Sequence, residues 1–227
     1  SVNESALPVG SDPTSPAETA EGQLTASGGT GPYTYALVAD SGTHYGSLTI
    51  DPDGHYSYTL DTVTPDGAGT ESDTFTFQAT DANGNTATNT ISISIVDDVP
   101  TAYADIASVN EGSHIQGNVL TDGTDDVFGA DGSTVTTPSG GVVGVRFGSD
   151  TSTPVESGVG TKIYGDHGYL ELSADGSYTY YSDANDISAN DTDVFVYTIQ
   201  DGDGDFSTTT LTVSVKDFTV QTEVDSQ

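Results

Sequence analysis

The chain has 227 residues, with 35 Asp or Glu and only 3 Lys or Arg, so its formal net charge is −32. This imbalance argues against nucleic acids and anionic membrane surfaces as partners, because both bind through Lys and Arg side chains. It favours a divalent cation, because hard cations take carboxylate oxygens, and it is equally compatible with solubility in a salty medium. The absence of Cys removes thiol chemistry and Cys-based zinc sites.

The first half of the chain predicts several short strands and no amphipathic helix. Apolar and hydroxyl residues alternate with a period of two, which marks strands with one buried face. Residues 51–54 and 81–85 have the composition of hairpin turns, and the Pro-containing segment 10–21 is predicted to be a loop. The predicted strands cover residues 1–4, 23–27, 33–37, 46–50, 55–60, 73–79 and 86–96.

A strand that runs into acidic residues closes each half of the chain. Residues 91–96 alternate strictly and then stop at Asp97, Asp98 and Pro100, because Pro cannot donate to a strand ladder. Residues 211–217 repeat this design. We therefore predict two β-sandwich units joined by a short acidic linker: residues 1–98, residues 99–217, and residues 218–227 as the start of the next linker or a tail.

The second half repeats the first with a longer middle. Residues 168–180 parallel residues 46–58, and residues 193–199 parallel residues 73–79. About seven short strands per repeat is the number found in an immunoglobulin-like sandwich. The extra residues are predicted to lie in 121–141 and 149–161, both rich in Gly, Asp, Ser and Thr, with a further strand at 142–147.

Four motifs occur in the same order in unit one and, with changes, in unit two. They are Gly-x-Leu-x-Ile-x-x-x-Gly-x-Tyr-x-Tyr from Gly46, Asp-x-Phe-x-Phe from Asp73, Asp-x-Asn-Gly from Asp81, and the closing strand into Asp-Asp-x-Pro at Asp97. This series resembles the tandem VCBS or cadherin-like repeats of bacterial RTX adhesins, which are secreted by the type I route. The resemblance covers most of both units. It implies an all-β fold of two tandem immunoglobulin-like (cadherin-like) sandwiches, a cell-surface stalk, and calcium at module junctions.

The ends of such a sandwich predict where acidic side chains gather. The closing strand ends at the junction of the two units, and the opening strand and the connection before residues 73–79 place acids at the same end of unit one. The hairpin at 201–205 lies at the near end of unit two, and six to eight oxygens suffice for one Ca²⁺. The predicted ligands are Glu4, Glu71, Asp73, Asp97, Asp98, Asp105, Asp201 and Asp203, with Glu111, Asp191, Asp193 and Asp217 repeating the arrangement in unit two.

Each acidic residue also has a plainer explanation, because Asp and Asn favour turns by bonding to nearby backbone groups. The Asp-Gly pairs at Asp53 and Asp175 are better explained as hairpin turns. Residues 201–205 resemble the start of an EF-hand loop, but the twelfth position is Thr212 rather than Glu, which excludes that motif. A further acidic cluster is predicted either to hold another calcium ion or to be a disordered loop: Asp122, Asp125, Asp126 and Asp131.

No group of residues in the sequence predicts catalysis. The four His residues lack metalloenzyme spacing, and the adjacent Asp166 and His167 lack a nucleophile-elbow motif. Tyr178, Tyr180 and Tyr181 fit cross-strand packing better than a sugar-binding platform. We therefore expect that the protein is not an enzyme.

Together with the acidic residues, the resemblance implies a calcium-stabilised extender, or stalk, module of a bacterial cell-surface adhesin, which holds a distal binding region away from the cell for adhesion or biofilm formation. The alternative is a ligand-binding adhesin domain that recognises a glycan or peptide through the longer loops of unit two. The expected partners are calcium ions and neighbouring repeats of the same chain, and the expected state is a monomer. The chain has no signal peptide at Ser1, so we expect an internal piece of a longer, extracellular protein.

Overall fold

The structure of the protein is a computed structural model, which describes residues 1–38, 42–65, 71–133 and 141–218. The chain divides into unit one, Ser1–Asp98 with Gly129–Asp131, and unit two, Val99–Phe128 with Gly132–Gln227. Residues 134–140 of the predicted insertion and residues 219–227 of the predicted tail lie outside the described residues. No helix in the described ranges is long and apolar enough to cross a membrane.

Unit one is a sandwich of two sheets. Its strands are β1 (Val2–Asn3), β2 (Thr19–Gln23), β3 (Thr34–Leu37), β4 (Gly46–Ile50), β5 (His55–Leu60), β6 (Ser72–Thr80) and β7 (Thr86–Val96). One sheet has the order β1-β7-β6-β3 and the other β2-β5-β4. The pairs are antiparallel except for β1 and β7, which run parallel with Asn3 opposite Val96.

The core of unit one follows from the alternation along β6 and β7. Phe75 and Phe77 of β6 and Ile93 and Ile95 of β7 are buried, whereas the Thr and Ser residues between them are exposed or half-buried. Tyr58 of β5 is fully buried with Phe75, Ile93 and Ile95, whereas Phe77 belongs to a second cluster with Tyr35. Burial of one such side chain contributes about 1.5–3 kcal/mol relative to leaving it in water.

Unit two has the same architecture with one more strand. Its strands are β8 (Asp105–Asn110), β9 (His114–Asn118), β10 (Val142–Phe147), β11 (Lys162–Tyr164), β12 (Gly168–Leu172), β13 (Ser177–Ser182), β14 (Asp191–Gln200) and β15 (Phe206–Lys216). One sheet has the order β10-β14-β15-β8 and the other β11-β12-β13-β9. As in unit one, the opening strand β8 lies parallel to the closing strand β15.

The core of unit two is centred on β14. Five consecutive residues of this strand are buried. The side chains facing away from the core are covered in part by buried Val155, whose backbone N–H donates to the Thr198 hydroxyl. Phe195, Tyr197 and Ile199 pack against Leu170 and Leu211, and each of these five side chains is fully buried.

The predicted fold class is confirmed, with three corrections to the strands. Residues 19–21 were predicted to be a loop, but they belong to β2, which pairs with β5 from Thr19 opposite Thr59 to Gln23 opposite His55. The predicted strand at 23–27 was wrong beyond Gln23, because the ladder with β5 ends at His55 and the Leu24 N–H bonds instead to the Gly54 carbonyl of the hairpin turn. Strand β11 was not predicted, since three residues are too few for a periodic signal.

Candidate metal centre

Three carboxylates of unit one converge at the end of the sheet that contains β1 and β7. Glu4, Asp97 and Asp131 each offer an oxygen, and these oxygens all lie within 4.8 Å of one another. We call this group the acidic triad. Glu4 is fully buried, and Asp97 and Asp131 are half-buried.

The parallel pairing of β1 and β7 explains why Glu4 and Asp97 meet. Asn3 lies opposite Val96. The residues that follow these two, Glu4 and Asp97, therefore lie at the same end of the sheet. The side chain of Asn3 accepts a hydrogen bond from the Ser5 backbone N–H at 2.9 Å, which turns the chain into the short 3₁₀ turn after β1. The local sequence therefore positions two of the three acids.

The buried Glu4 side chain is held in one orientation. Its Oε1 accepts hydrogen bonds from both the backbone N–H and the hydroxyl of Thr64, each at 2.7 Å. Thr64 is itself buried, so this contact is shielded from water. The carboxylate is thus preorganised, which lowers the entropic cost of binding a ligand there.

The third acid comes from a distant part of the chain. Ala130 is buried in the core of unit one and brings Asp131 with it. Gly129 has a φ of +73°, and a Cβ there would clash with the backbone carbonyl oxygen of Asp98. Only Gly can adopt this positive φ and approach the Asp98 carbonyl so closely without strain.

The charge of the acidic triad favours a cation. The sequence contains no Lys or Arg before Arg146, so no such side chain of unit one can neutralise the triad. Two like charges about 4 Å apart repel by roughly 4 kcal/mol at an effective dielectric constant of about 20. Three carboxylates supply up to six hard oxygen donors, and Ca²⁺ takes six to eight at about 2.3–2.6 Å. The residues present therefore fit calcium.

Asp98 is buried but has a different set of contacts. Its Oδ2 accepts a hydrogen bond from the Ser11 backbone N–H at 2.8 Å, and its Oδ1 accepts one from the Ser11 hydroxyl at 2.6 Å. These two hydrogen bonds connect the loop that contains Ser11 to the segment that follows β7. A calcium role for Asp98 stays a prediction.

Asp73 and Asp193 occupy equivalent places in the two repeats, beneath a buried Tyr. The Tyr58 hydroxyl donates to Asp73 Oδ2 at 2.7 Å, and the Tyr180 hydroxyl donates to Asp193 Oδ2 at 2.7 Å. Burial, followed by the neighbouring carboxylate, raises the pKa of both Tyr hydroxyls well above the usual range. Both carboxylates also accept backbone N–H groups. The contacts favour a structural role, and ligation of calcium by these two residues stays a prediction.

Glu111 and Asp217 repeat the placement of Glu4 and Asp97 in unit two. Asn110 lies opposite Lys216 in the parallel pair of β8 and β15, and Glu111 and Asp217 follow these residues directly. Glu111 Oε1 accepts the Phe218 backbone N–H at 3.2 Å, and its Oε2 is buried without a hydrogen-bond partner among the described residues. The described part of the chain contains no third acid that completes this pair into a triad.

The hairpin turns at the ends of β6 and β14 differ in how their acids are satisfied. In unit one, Asp81 accepts the backbone N–H groups of Asn83 and Asn85 and the Asn85 side-chain amide, and these bonds lower its pKa to about 2. In unit two, Asp203 and Asp205 replace the two Asn residues.

Asp201, the counterpart of Asp81, is fully buried. Its Oδ1 accepts the backbone N–H groups of Gly204 and Asp205. Its Oδ2 and both oxygens of Asp203 are buried without hydrogen-bond partners among the residues that the structure describes. Burial, with the Asp203 carboxylate adding to it, raises the pKa of Asp201 to about 6. These two acids are thus suited to a cation, and their ligand role stays a prediction.

Two other predicted ligands lie next to strand β6 and at the start of β14. Glu71 precedes β6, and its backbone carbonyl accepts the Ile95 N–H at 2.9 Å. Asp191 Oδ2 lies 3.3 Å from His167 Nε2, and Asp186 Oδ2 lies 2.8 Å from His167 Nδ1. The hydrogen bond that His167 donates to the Asp186 carboxylate raises the pKa of His167. Calcium ligation by Glu71 and Asp191 stays a prediction.

The structure brings together two residues of the predicted junction set, Glu4 and Asp97, and adds Asp131. The sequence placed Asp131 in a separate cluster with Asp122, Asp125 and Asp126. The signal that could have marked it is the flanking pair Gly129 and Gly132, both of which have positive φ values. Asp105, the remaining predicted ligand, belongs to a different buried group in unit two.

Comparison with known protein families finds one family model that matches both units of the chain. The model of the family described as bacterial Ig domain matches residues 4–94 and 97–214. The calcium-binding lectin RapA2 of Rhizobium johnstonii is 32% identical over 181 residues, covering 75% of this chain and 72% of that protein.

Two solved structures illustrate the more distant similarities. Drosophila N-cadherin EC1-3 is 16% identical with a TM-score of 0.32, and the match covers 82% of this chain and 55% of that one. The tandem Ig repeats of Dlar are 12% identical with a TM-score of 0.27, and the match covers 82% and 83% of the two chains.

Proposed function

Because the chain belongs to the bacterial Ig domain family, we propose that it is a calcium-stabilised extender module of a bacterial cell-surface adhesin. In this role it acts outside the cell as one part of a longer monomeric chain, secreted by the type I route. It holds a distal binding region away from the surface for adhesion or biofilm formation. Ig-like modules of this kind are typically non-enzymatic, and we propose no catalytic role.

The observation that supports this proposal is the acidic triad of Glu4, Asp97 and Asp131. Its members come from the start of the chain, the end of β7 and a segment beyond β9. A bound calcium ion neutralises their charges. The three residues then hold three separate parts of the chain at one point, which stiffens the end of β7 where the polypeptide leaves for the next repeat. The description of RapA2 as calcium-binding supports the choice of metal.

Small-angle scattering in EDTA and in millimolar calcium tests the proposed function. We expect a longer, stiffer particle in calcium, because neutralising the triad removes the repulsion that loosens the end of β7. Glu4→Gln should abolish the change, since the amide keeps the shape of the side chain but removes one charge. Glu21→Gln, at an exposed position on β2, is the matched control and should respond like the unaltered protein. Identical scattering in both buffers would refute the extender role.

A row of aromatic rings on unit two favours a second function. Tyr164, Tyr169, Tyr181 and His114 lie directly opposite one another on β11, β12, β13 and β9. Successive ring centroids are 5.7, 4.9 and 5.6 Å apart. Tyr164 is 69% exposed, so the row lies on the outer face of the sheet. Tyr178 and Tyr180, by contrast, are buried in the core, as expected for packing residues.

Polar side chains form the adjacent row on the same face. Lys162, Glu171, Thr179 and Gln116 lie opposite one another in register, and the last three line a shallow polar pocket. Aromatic rings with hydrogen-bonding groups beside them suit the C–H faces and hydroxyls of a sugar. We therefore propose glycan binding as the second function, which the description of RapA2 as a lectin also supports.

A glycan array probed in calcium tests the second function. We expect a specific hit that weakens at least tenfold in Tyr164→Ala, because this variant removes the most exposed ring of the row. Phe206→Ala, which removes a partly exposed ring from β15 in the other sheet, should leave the hit unchanged. A blank array, or equal losses in both variants, would remove glycan binding from consideration and leave the extender role alone.

A further inference from the structure

A second buried acidic centre lies in unit two, around the hydroxyl group of Tyr197. This side chain is fully buried. Its oxygen lies 2.9 Å from the Tyr103 carbonyl oxygen, 2.9 Å from Asp105 Oδ2, 3.1 Å from the Val119 carbonyl oxygen and 3.1 Å from Asp126 Oδ2. A phenol has one hydrogen to donate, so it can serve only one of these four acceptors. The other three acceptor oxygens lie close to the same hydroxyl group but receive no hydrogen from it.

Asp105 is the most deeply buried acid of this centre. It begins β8 and is only 3% exposed. Its second carboxylate oxygen, Oδ1, is buried and has no hydrogen-bond partner among the described residues. This oxygen points towards the acidic loop 121–126, where it lies 3.7 Å from the position that a Cβ on Gly123 would take. An unpaired buried carboxylate oxygen is costly unless a proton or a cation satisfies it.

Two further carboxylates of the loop lie close to Asp105. Asp126 Oδ1 accepts the Tyr103 backbone N–H at 2.6 Å, and Asp122 Oδ2 accepts the Asn118 backbone N–H at 2.8 Å. Burial raises the pKa of Asp105 to about 7 and that of Asp126 to about 6, and nearby acids add to both shifts. In the described ranges, neither Lys, Arg nor His forms an ion pair with these three acids.

We propose that this centre is a calcium site within unit two, with the carboxylates of Asp105 and Asp126 as its principal ligands and Asp122 at its edge. The carbonyl oxygens of Tyr103 and Val119 lie beside these carboxylates, so the donor set is entirely hard oxygen, which calcium prefers. Asp126 also lines an open surface pocket, which gives an ion from solvent a route to the buried carboxylates.

The repeat in unit one lacks the group at the middle of this centre. Tyr197 and Phe77 occupy equivalent positions, because the strand from Asp193 parallels the strand from Asp73. Phe77 is buried without any hydroxyl to offer. The proposed site is therefore specific to unit two and shares no residue with the acidic triad, so it does not rest on the proposed extender function.

Calorimetric titration of the whole chain with calcium tests this inference. Asp105→Asn keeps the size of the side chain and removes its charge, and we expect it to lower the number of bound calcium ions by one. Asp126→Asn should weaken the same site at least tenfold, and it serves as a second variant at a less buried position. Asp183→Asn, at an exposed position outside the centre, should change neither the number nor the affinity.

Melting curves of the same variants separate calcium from a shared proton. In EDTA at neutral pH, Asp105→Asn should melt higher than the unaltered chain, since it no longer buries an unpaired charge. In calcium it should lose the increase that binding gives the unaltered chain. If Asp105→Asn raises the midpoint equally in both buffers and the stoichiometry is unchanged, the centre holds only a proton and the inference is wrong. Glu4→Gln should leave calcium binding at this site unchanged. The loss of this site can therefore be told apart from the loss of calcium binding at the acidic triad.

Discussion

Replacing Asp193 with Ala should destabilise unit two by about 3–5 kcal/mol, because three donors lose their acceptor at once. The Tyr180 hydroxyl and the backbone N–H groups of Asp166 and His167 all donate to this carboxylate. Asp193 and Tyr180 are fully buried, so water cannot replace the lost bonds without opening the core. The corresponding fall in the melting midpoint is roughly 10–20 °C, measurable by calorimetry or circular dichroism.

The controls for Asp193→Ala distinguish a structural carboxylate from a calcium ligand. Asp193→Asn keeps one acceptor oxygen and should cost less than Asp193→Ala. Tyr180→Phe removes a single donor and should cost about 1 kcal/mol. Asp73→Ala should reproduce the large loss in unit one, because Tyr58, Tyr45 and Gly46 donate to Asp73 in the same way. A loss for Asp193→Ala that appears only in calcium would instead make Asp193 the metal ligand that the sequence predicted.

Withdrawing calcium should cost unit one about 3–4 kcal/mol when the free ion stands a few hundred to a thousand times above its dissociation constant. The reason is that the folded state holds Glu4, Asp97 and Asp131 together, whereas the unfolded chain separates them. Urea denaturation of the whole chain in calcium and in EDTA measures this difference. We expect the midpoint of the unit-one transition to fall in EDTA while its slope stays the same.

The sign of the Glu4→Gln effect should reverse between the two buffers. In EDTA this variant should be as stable as the unaltered chain or more so, because one repelling charge is removed and the glutamine carbonyl can still accept from Thr64. In calcium it should be less stable, because the ion has lost a carboxylate. A variant that is destabilised by the same amount in both buffers would show that Glu4 acts only through its hydrogen bonds to Thr64.

The strands and hairpins could be predicted because their signals are local. The alternation in residues 91–96 marks which side chains of β7 face inward, and Asp-Gly pairs mark the turns at Gly54 and Gly176, both with positive φ. The same kind of alternation in β6 also marks an inward-facing acid. Asp73 shares its parity with Phe75 and Phe77, so it had to face the core with them.

The remainder of the site depends on contacts between distant parts of the chain. Glu4 and Asp97 meet because β1 and β7 run parallel, which the position of each acid at the end of a strand made predictable. Asp131 joins them because Ala130 packs into the core of unit one, and no periodicity in the intervening residues encodes that path. The bounds of β2, predicted as a strand at 23–27, were wrong for the same reason, since they are set by pairing with the distant strand β5.

Calcium at the acidic triad can be located by anomalous X-ray scattering from crystals grown with calcium. We expect an anomalous difference peak bounded by carboxylate oxygens of Glu4, Asp97 and Asp131, each about 2.3–2.6 Å from the ion. Three carboxylates still gathered in millimolar calcium, with no anomalous peak between them, would contradict it. The acidity of unit one would then be an adaptation to salt rather than a metal site.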